Sequence, residues 1–226
     1  MLAEVIIDII INNPFCSYLV KKDFFIKEDN IDMKKAIFGF SVRDIAEIAI
    51  LIALAVVIDS FLKIPLGVTG GSINASMIPL FIIALRHGWF KTLISGGVVF
   101  GLITCLTDGY GFYTYPFEYL VPFGSICLIS LFTVISDKQK SLLTRILVFV
   151  GVSSLILVIR FFFNSLDSVI WWDYTWSAAF AYNLSYVFIS GAICIAATSL
   201  LFPLIDKINN IYKSDYLKAL TATKIN

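Results

Sequence analysis

Glu118 sits in "TYPFEYLVPF", a carboxylate among aromatic rings and prolines at the edge of a long apolar run. An ionisable group in such a run is costly, and normally faces a bundle interior or cavity where it has a partner. Other polar and aromatic residues approach the same side: Asn74, Tyr110, Tyr113, Tyr115, Tyr119, Asn164, Trp171, Trp172, Tyr174, Tyr182, Asn183 and Tyr186. One acid, several amides and stacked rings suit a small, flat, nitrogen-rich or cationic ligand. The acid accepts hydrogen bonds from ring amino groups, and aromatic faces attract a ring cation. Two blander readings stand beside this one. Arg160 could hold Glu118 in a structural salt bridge, and tyrosines and tryptophans also collect at membrane interfaces simply as anchors.

Other chemistries lack their residues. No G-x-x-x-x-G-K-[ST] loop is present to hold nucleotide phosphates, so the chain should not hydrolyse ATP by itself. No H-E-x-x-H occurs, and the single histidine, His87, lies in a basic "RHG" stretch that reads as a turn at the membrane surface. One histidine makes neither a metal site nor a base for a serine or cysteine nucleophile, so neither metal nor cofactor is expected. "GGVVFG" reads as close helix packing, and the separated cysteines as inert small core residues. A net charge of +1 gives no basic patch for nucleic acid.

The elements that position these residues follow from composition. With 59% hydrophobic residues, 15% charged and a mean hydropathy of +0.90, the chain reads as an all-α polytopic membrane protein. A span needs about 20 mostly apolar residues, which divides the chain into six segments: 45–63, 76–90, 91–108, 117–136, 142–163 and 177–204. The second and third are joined only by "RHGWFK", a tight helical hairpin with Pro79 in a first turn. Lys34, Lys35, Arg43, Arg86, Lys91, Lys138, Lys140, Arg145, Lys207, Lys213 and Lys218 fall in alternate connections. The positive-inside rule then puts both termini in the cytoplasm, and Asp108, Asp167 and Asp173 outside. The six-helix domain runs over 41–206, followed by a cytoplasmic tail at 207–226. Residues 1–40 read as a peripheral or partly disordered N-terminal extension. "MLAEVIIDIIINNPF" is neither a good signal peptide nor a span, and Met33 offers an alternative start.

"GGSINASMIPLFIIALRHG", "FEYLVPF" and "AEIAILIALAVVID" together resemble the substrate-binding S component of energy-coupling factor vitamin transporters, closest to the thiamin-specific branch. The resemblance covers about 41–205. It implies a multi-pass protein of a prokaryotic plasma membrane that captures thiamin at the outer face and associates with a transmembrane coupling subunit and two cytosolic ATPases. By the same resemblance Glu118 contacts an aminopyrimidine ring, Tyr119, Trp172 and Tyr182 are aromatic site positions, and Trp172 partners the thiazolium. Ala49 and Ala53 match an A-x-x-x-A docking surface; small residues at i and i+4 also let helices approach closely, or pack inside the bundle. The match has departures: Asn164 stands where the family pattern has a histidine, Val187 where it has an asparagine that Asn183 could replace, and the glycines of "TGGS" where it has a tryptophan. These keep another flat vitamin or pyrimidine precursor open as ligand. A stand-alone transporter and a membrane-embedded enzyme are weaker alternatives.

Overall fold

The computed structural model describes residues 36–65, 71–136 and 141–222; the expectations for residues 1–35, for 66–70 of the first outer loop and for Lys138 and Lys140 lie outside them. Helix α1 runs Val42–Phe61. Ser41 starts it, its hydroxyl accepting from the Asp44 N–H at 3.2 Å, and the Asp44 carboxylate in the first turn complements the helix dipole. A short antiparallel ribbon, β1 (Ile64–Pro65) with β2 (Ser72–Ile73), pairs Ile64 with Ile73. Helix α2 follows over Met77–His87 and α3 over Trp89–Asp108. The hairpin between them turns on Gly88 alone, at φ +85°, where a side chain would also press into the Tyr216 ring.

Helix α4 comes in three pieces, Tyr115–Leu120, Val121–Gly124 and Cys127–Ser136. Its first piece is π-helical, as is the Leu93–Phe100 stretch of α3. The two helices meet closely here because Gly96 and Gly97 have no side chains: a Cβ would come within 3.0 Å of the Phe123 and Leu120 carbonyls respectively. The Tyr115 hydroxyl donates to the Gly97 carbonyl at 3.1 Å, pinning the contact. Glycines in "GGVVFG" therefore serve packing. Helices α5 (Leu142–Trp171) and α6 (Trp176–Ile211) are long, and α7 (Asp215–Ala222) closes the described chain.

Three of these, α3, α5 and α6, are long and apolar enough to cross a membrane; α2 and the apolar part of α4 are shorter. Helix α1 has the length, but Arg43, Asp44, Glu47 and Asp59 interrupt its apolar character. Leu147, Leu155, Val158 and Phe162 on α5 and Leu184, Ile189, Ile193 and Leu200 on α6 are exposed, an apolar exterior suited to lipid. The chain is a helical membrane protein. Each of the six hydrophobic segments corresponds to a helix, but α5 and α6 extend well past their apolar windows. The additional turns of α5 bury their polar side chains, Asn164, Ser165, Asp167 and Ser168, inward, so hydropathy alone truncates them. Phe149 joins α5 to both α2 and α6 through Phe81 at 5.6 Å and Phe202 at 5.9 Å.

At the N-terminal end of α1 the structure corrects the reading of His87. It is fully buried, not a surface turn, because α1 delivers two carboxylates to it. The Nδ1 atom lies 3.2 Å from Asp44 Oδ1, and Nε2 lies 3.3 Å from Glu47 Oε2 without hydrogen-bond geometry. Asp44 also accepts from the fully buried Lys91 ammonium at 2.6 Å. Glu47 accepts from Arg86 at 2.9 Å and Arg43 at 3.0 Å, while Arg86 reaches Asn209 on α6 at 2.7 Å. Ser214, just before α7, donates to the Arg86 carbonyl.

Gly191 marks the tightest crossing of α5 and α6, since a Cβ there would overlap Leu157. Gly191→Val is expected to destabilise the bundle by about 1–3 kcal/mol, the usual cost of overpacking. An unchanged thermal midpoint in detergent would show that the two helices can move apart freely.

Candidate functional site

A cavity opens at the end of the bundle away from the His87 cluster. Its wall is formed by Asp59 near the end of α1 and Lys63 just past it, the stretch from Gly71 to Asn74, the π-helical start of α4 (Glu118, Tyr119), and the facing turns of α5 (Arg160, Asn164) and α6 (Tyr186). Thr104 and Asp108 of α3, with Tyr110 beyond it, complete the wall. It contains three carboxylates, Asp59, Asp108 and Glu118, against two cations, Lys63 and Arg160. Its formal balance is therefore one negative charge.

Most of these charges are already committed. Asp59 accepts from the Asn74 amide at 2.8 Å, and Asn74 in turn accepts from the Ser76 hydroxyl at 2.8 Å. Asp108 accepts from Lys63 at 3.0 Å and from the Tyr119 hydroxyl at 3.0 Å. Lys63 lies just past α1. Burial disfavours its ammonium, but the bond and the charge of Asp108 outweigh this and hold its pKa above the ordinary lysine value.

Glu118 differs. No side chain among the described residues gives it a hydrogen bond or ion pair; its backbone N–H donates to the Thr114 carbonyl at 2.9 Å. Arg160 does not form the salt bridge considered from sequence. Its guanidinium lies over the Phe123 ring at 4.9 Å, one terminal nitrogen 2.9 Å from Met77 Sδ, and its buried Nε has no hydrogen-bond partner. The Asn164 side-chain carbonyl is likewise buried and unpartnered, while its amide donates to the Tyr186 hydroxyl at 3.2 Å. An acceptor carboxylate, a donor guanidinium and an acceptor amide oxygen thus have hydrogen-bonding capacity that the described residues leave unused. The Arg160 Nε and the Asn164 carbonyl are buried, and such groups are costly unless something satisfies them.

Six residues singled out in the sequence line the cavity together: Glu118, Tyr119, Asn164, Tyr110, Asn74 and Tyr186. Three stand behind or beside it. Asn183 is fully buried, donates to Ser168 at 3.1 Å and to the Ala179 carbonyl at 2.9 Å, and accepts from Tyr186 at 2.7 Å. It fixes the Tyr186 ring. Tyr182 packs on Tyr186 at 5.4 Å and on Tyr174 at 6.0 Å. Trp172 follows the last turn of α5, 44% exposed, edge-on to Tyr110 at 5.7 Å. Ala49 and Ala53 lie on the exposed face of α1, outside the bundle core. Asp59 was missed, although the rule that flagged Glu118, an acid within an apolar run, points to it equally. Among the described residues no group of three or more His, Cys, Asp or Glu could hold a metal ion.

The cavity measures about 50 Å³, room for a few waters, where small-molecule pockets run to ~300–1,000 Å³. A heterocyclic ligand enters only if the wall moves.

A helical membrane protein with a polar, partly unsatisfied cavity at one end has the architecture of a solute-binding membrane protein. Comparison with known proteins gives this class its family. The model of the thiamine transporter protein family matches residues 45–210, and the chain belongs to that family. It is a transport protein, not an enzyme, and the sequence resemblance to the thiamin branch is borne out. The thiamine transporter ThiT of Bacillus subtilis (strain 168) is 28% identical over 180 residues, covering 69% of this chain and 88% of that one. The solved structure of ThiT from Listeria monocytogenes superposes with a TM-score of 0.63 at 22% identity, over 74% of this chain and 97% of that one, a likeness of fold.

Proposed function

We propose that this chain is the substrate-binding subunit of an ATP-driven energy-coupling factor importer, with thiamin as its ligand. The observation that carries this reading is Glu118, a carboxylate facing the cavity with no side-chain partner among the described residues, in a wall whose formal charges sum to one negative. Thiamin supplies what is missing: an aminopyrimidine that donates to the carboxylate and accepts from a guanidinium, and a thiazolium whose positive charge balances the wall. Tyr110, Tyr119 and Tyr186 offer rings for stacking and cation–π contact. The relatives' printed function agrees with this ligand.

In this reading α1 to α6 are six spans of a prokaryotic plasma membrane, with both termini cytoplasmic and the cavity at the outer face. Residues 41–206 form the substrate-binding domain, preceded by an extension over 1–40 and followed by a tail over 207–226. A transmembrane coupling subunit and two cytosolic ATPases deliver the energy. The exposed position of Ala49 and Ala53 on α1 supports docking of the coupling subunit there, because small side chains admit a second helix.

Titrating thiamin onto the purified chain while following tryptophan fluorescence tests the ligand, with Trp172 beside Tyr110 as reporter. Saturable quenching at nanomolar to low micromolar thiamin is the expected result; a flat signal from folded protein would shift the assignment to another flat vitamin or precursor. For the docking face, Ala49→Trp is expected to abolish cellular uptake while binding by the isolated chain is unchanged. Retained uptake would exclude this face as the coupling surface.

A further inference from the structure

Helix α5 carries a polar stripe that the cavity uses only in part. Arg160, Asn164 and Asp167 stand at i, i+4 and i+7, one face of a helix, and are 8%, 3% and 1% exposed. Each of these consecutive turns holds a buried polar atom without a hydrogen-bond partner among the described residues: Arg160 Nε, Asn164 Oδ1 and Asp167 Oδ1. The stripe runs about 10 Å along the helix at ~1.5 Å per residue. Arg160 and Asn164 line the cavity; Asp167 does not. A buried carboxylate oxygen left in this state is costly, and the two rungs below it already face the site.

Two neighbours define what Asp167 is placed to do. Glu118 is near enough for the two negative charges to oppose one another, which gives the site a second carboxylate at its Glu118 end. The Trp172 indole approaches the Asp167 carboxylate as a donor, and its ring meets Tyr110 of the cavity wall edge-on at 5.7 Å. Trp172 lies just past the end of α5 and is 44% exposed, so it can swing without disturbing the packed core. A cavity of about 50 Å³ must enlarge to take two rings, and displacement of this indole is the enlargement that uncovers Asp167. One movement then frees the carboxylate and releases the indole to lie over a ring cation.

Two carboxylates at one end of a site select a particular group. Among the described residues no third acid, cysteine or histidine joins them to hold a metal ion. A ring amino group fits instead. It offers two N–H donors on one nitrogen, and its lone pair is delocalised into the ring, so it accepts poorly and carries partial positive charge. Each hydrogen can then serve one carboxylate, as a charge-assisted bond.

We infer that Asp167 is a second ligand-reading carboxylate, which with Glu118 brackets the amino group of the bound heterocycle and makes the site specific for an amino over an oxo substituent. This deepens the thiamin reading of the cavity and rests on it.

The test is isothermal titration calorimetry of the full chain in detergent, with thiamin and with oxythiamin, in which a carbonyl oxygen replaces the ring amino group. Asp167→Asn keeps the size of the side chain and an oxygen for the Trp172 indole, but its amide nitrogen donates where the carboxylate accepted. The ratio of thiamin to oxythiamin affinity is expected to fall about tenfold or more in Asp167→Asn, the scale of one charge-assisted hydrogen bond. An unchanged ratio overturns the inference, whether both affinities hold or both fall together; the second pattern would make Asp167 a structural residue. Asp167→Ser is read in the same way if the asparagine variant does not fold. The thiamin reading fails separately: folded wild-type chain that binds no thiamin removes that reading and this inference with it, whereas wild-type binding with an unchanged ratio in the variant removes this inference alone.

Discussion

Glu118→Gln is expected to weaken thiamin binding by about 1.5–3 kcal/mol, roughly 10- to 150-fold in Kd. Glutamine keeps the shape and one acceptor oxygen but removes the charge that, in the proposed function, an aminopyrimidine would read. Among the described residues the carboxylate has no side-chain partner to lose, so folding stability should stay level or rise as an uncompensated charge leaves the cavity. That split separates a binding role from a structural one. Fluorescence titration gives the first quantity and thermal unfolding in detergent the second. Unchanged affinity would remove Glu118 from the site, whereas lost affinity accompanied by lost stability would make it a structural residue.

The largest effect on stability is expected at the opposite end of the same helix system. Asp44→Ala should cost about 3–5 kcal/mol. It strips the 2.6 Å partner from Lys91, which is fully buried, and the 3.2 Å neighbour from His87. An ammonium left alone there must lose its proton or pull water in. Asp44→Ala with Lys91→Met should recover most of the loss, because replacing both members of a buried pair avoids the stranded charge. A single variant that melts with wild type, or a double variant no better than the single, would refute this account of the cluster. Asp44 and Asp59 lie about 22 Å apart along α1 at ~1.5 Å per residue, so whatever Asp44→Ala protein remains folded should bind thiamin normally.

Hydropathy made the helices legible, because a span needs a long apolar run whatever its neighbours are. It read the cores of α5 and α6 well and their ends poorly: Asn164, Asp167 and Asn183 are polar in sequence yet buried in the structure, since another helix covers them. The π-helical stretches left no sequence signal beyond Gly96 and Gly97. Within the site, polarity against an apolar background picked out Glu118, Asn164 and Tyr186, which meet in the cavity. The same criterion could not tell lining from support, so Asn183 looked equivalent to Asn164 until the Tyr186 hydroxyl was seen between them. His87 was misread because its basic neighbours suggested water; the acids that bury it come from α1, some 40 positions away in sequence.

The narrowness of the cavity beside Glu118, about 50 Å³, carries a kinetic meaning. A ligand cannot collide productively with a pocket that has no room for it, so wall opening limits how often encounter leads to capture. The observed association rate should then level off at high thiamin concentration instead of rising in proportion, with the plateau reporting the opening step. The same gate slows escape, giving a long residence time with few direct contacts.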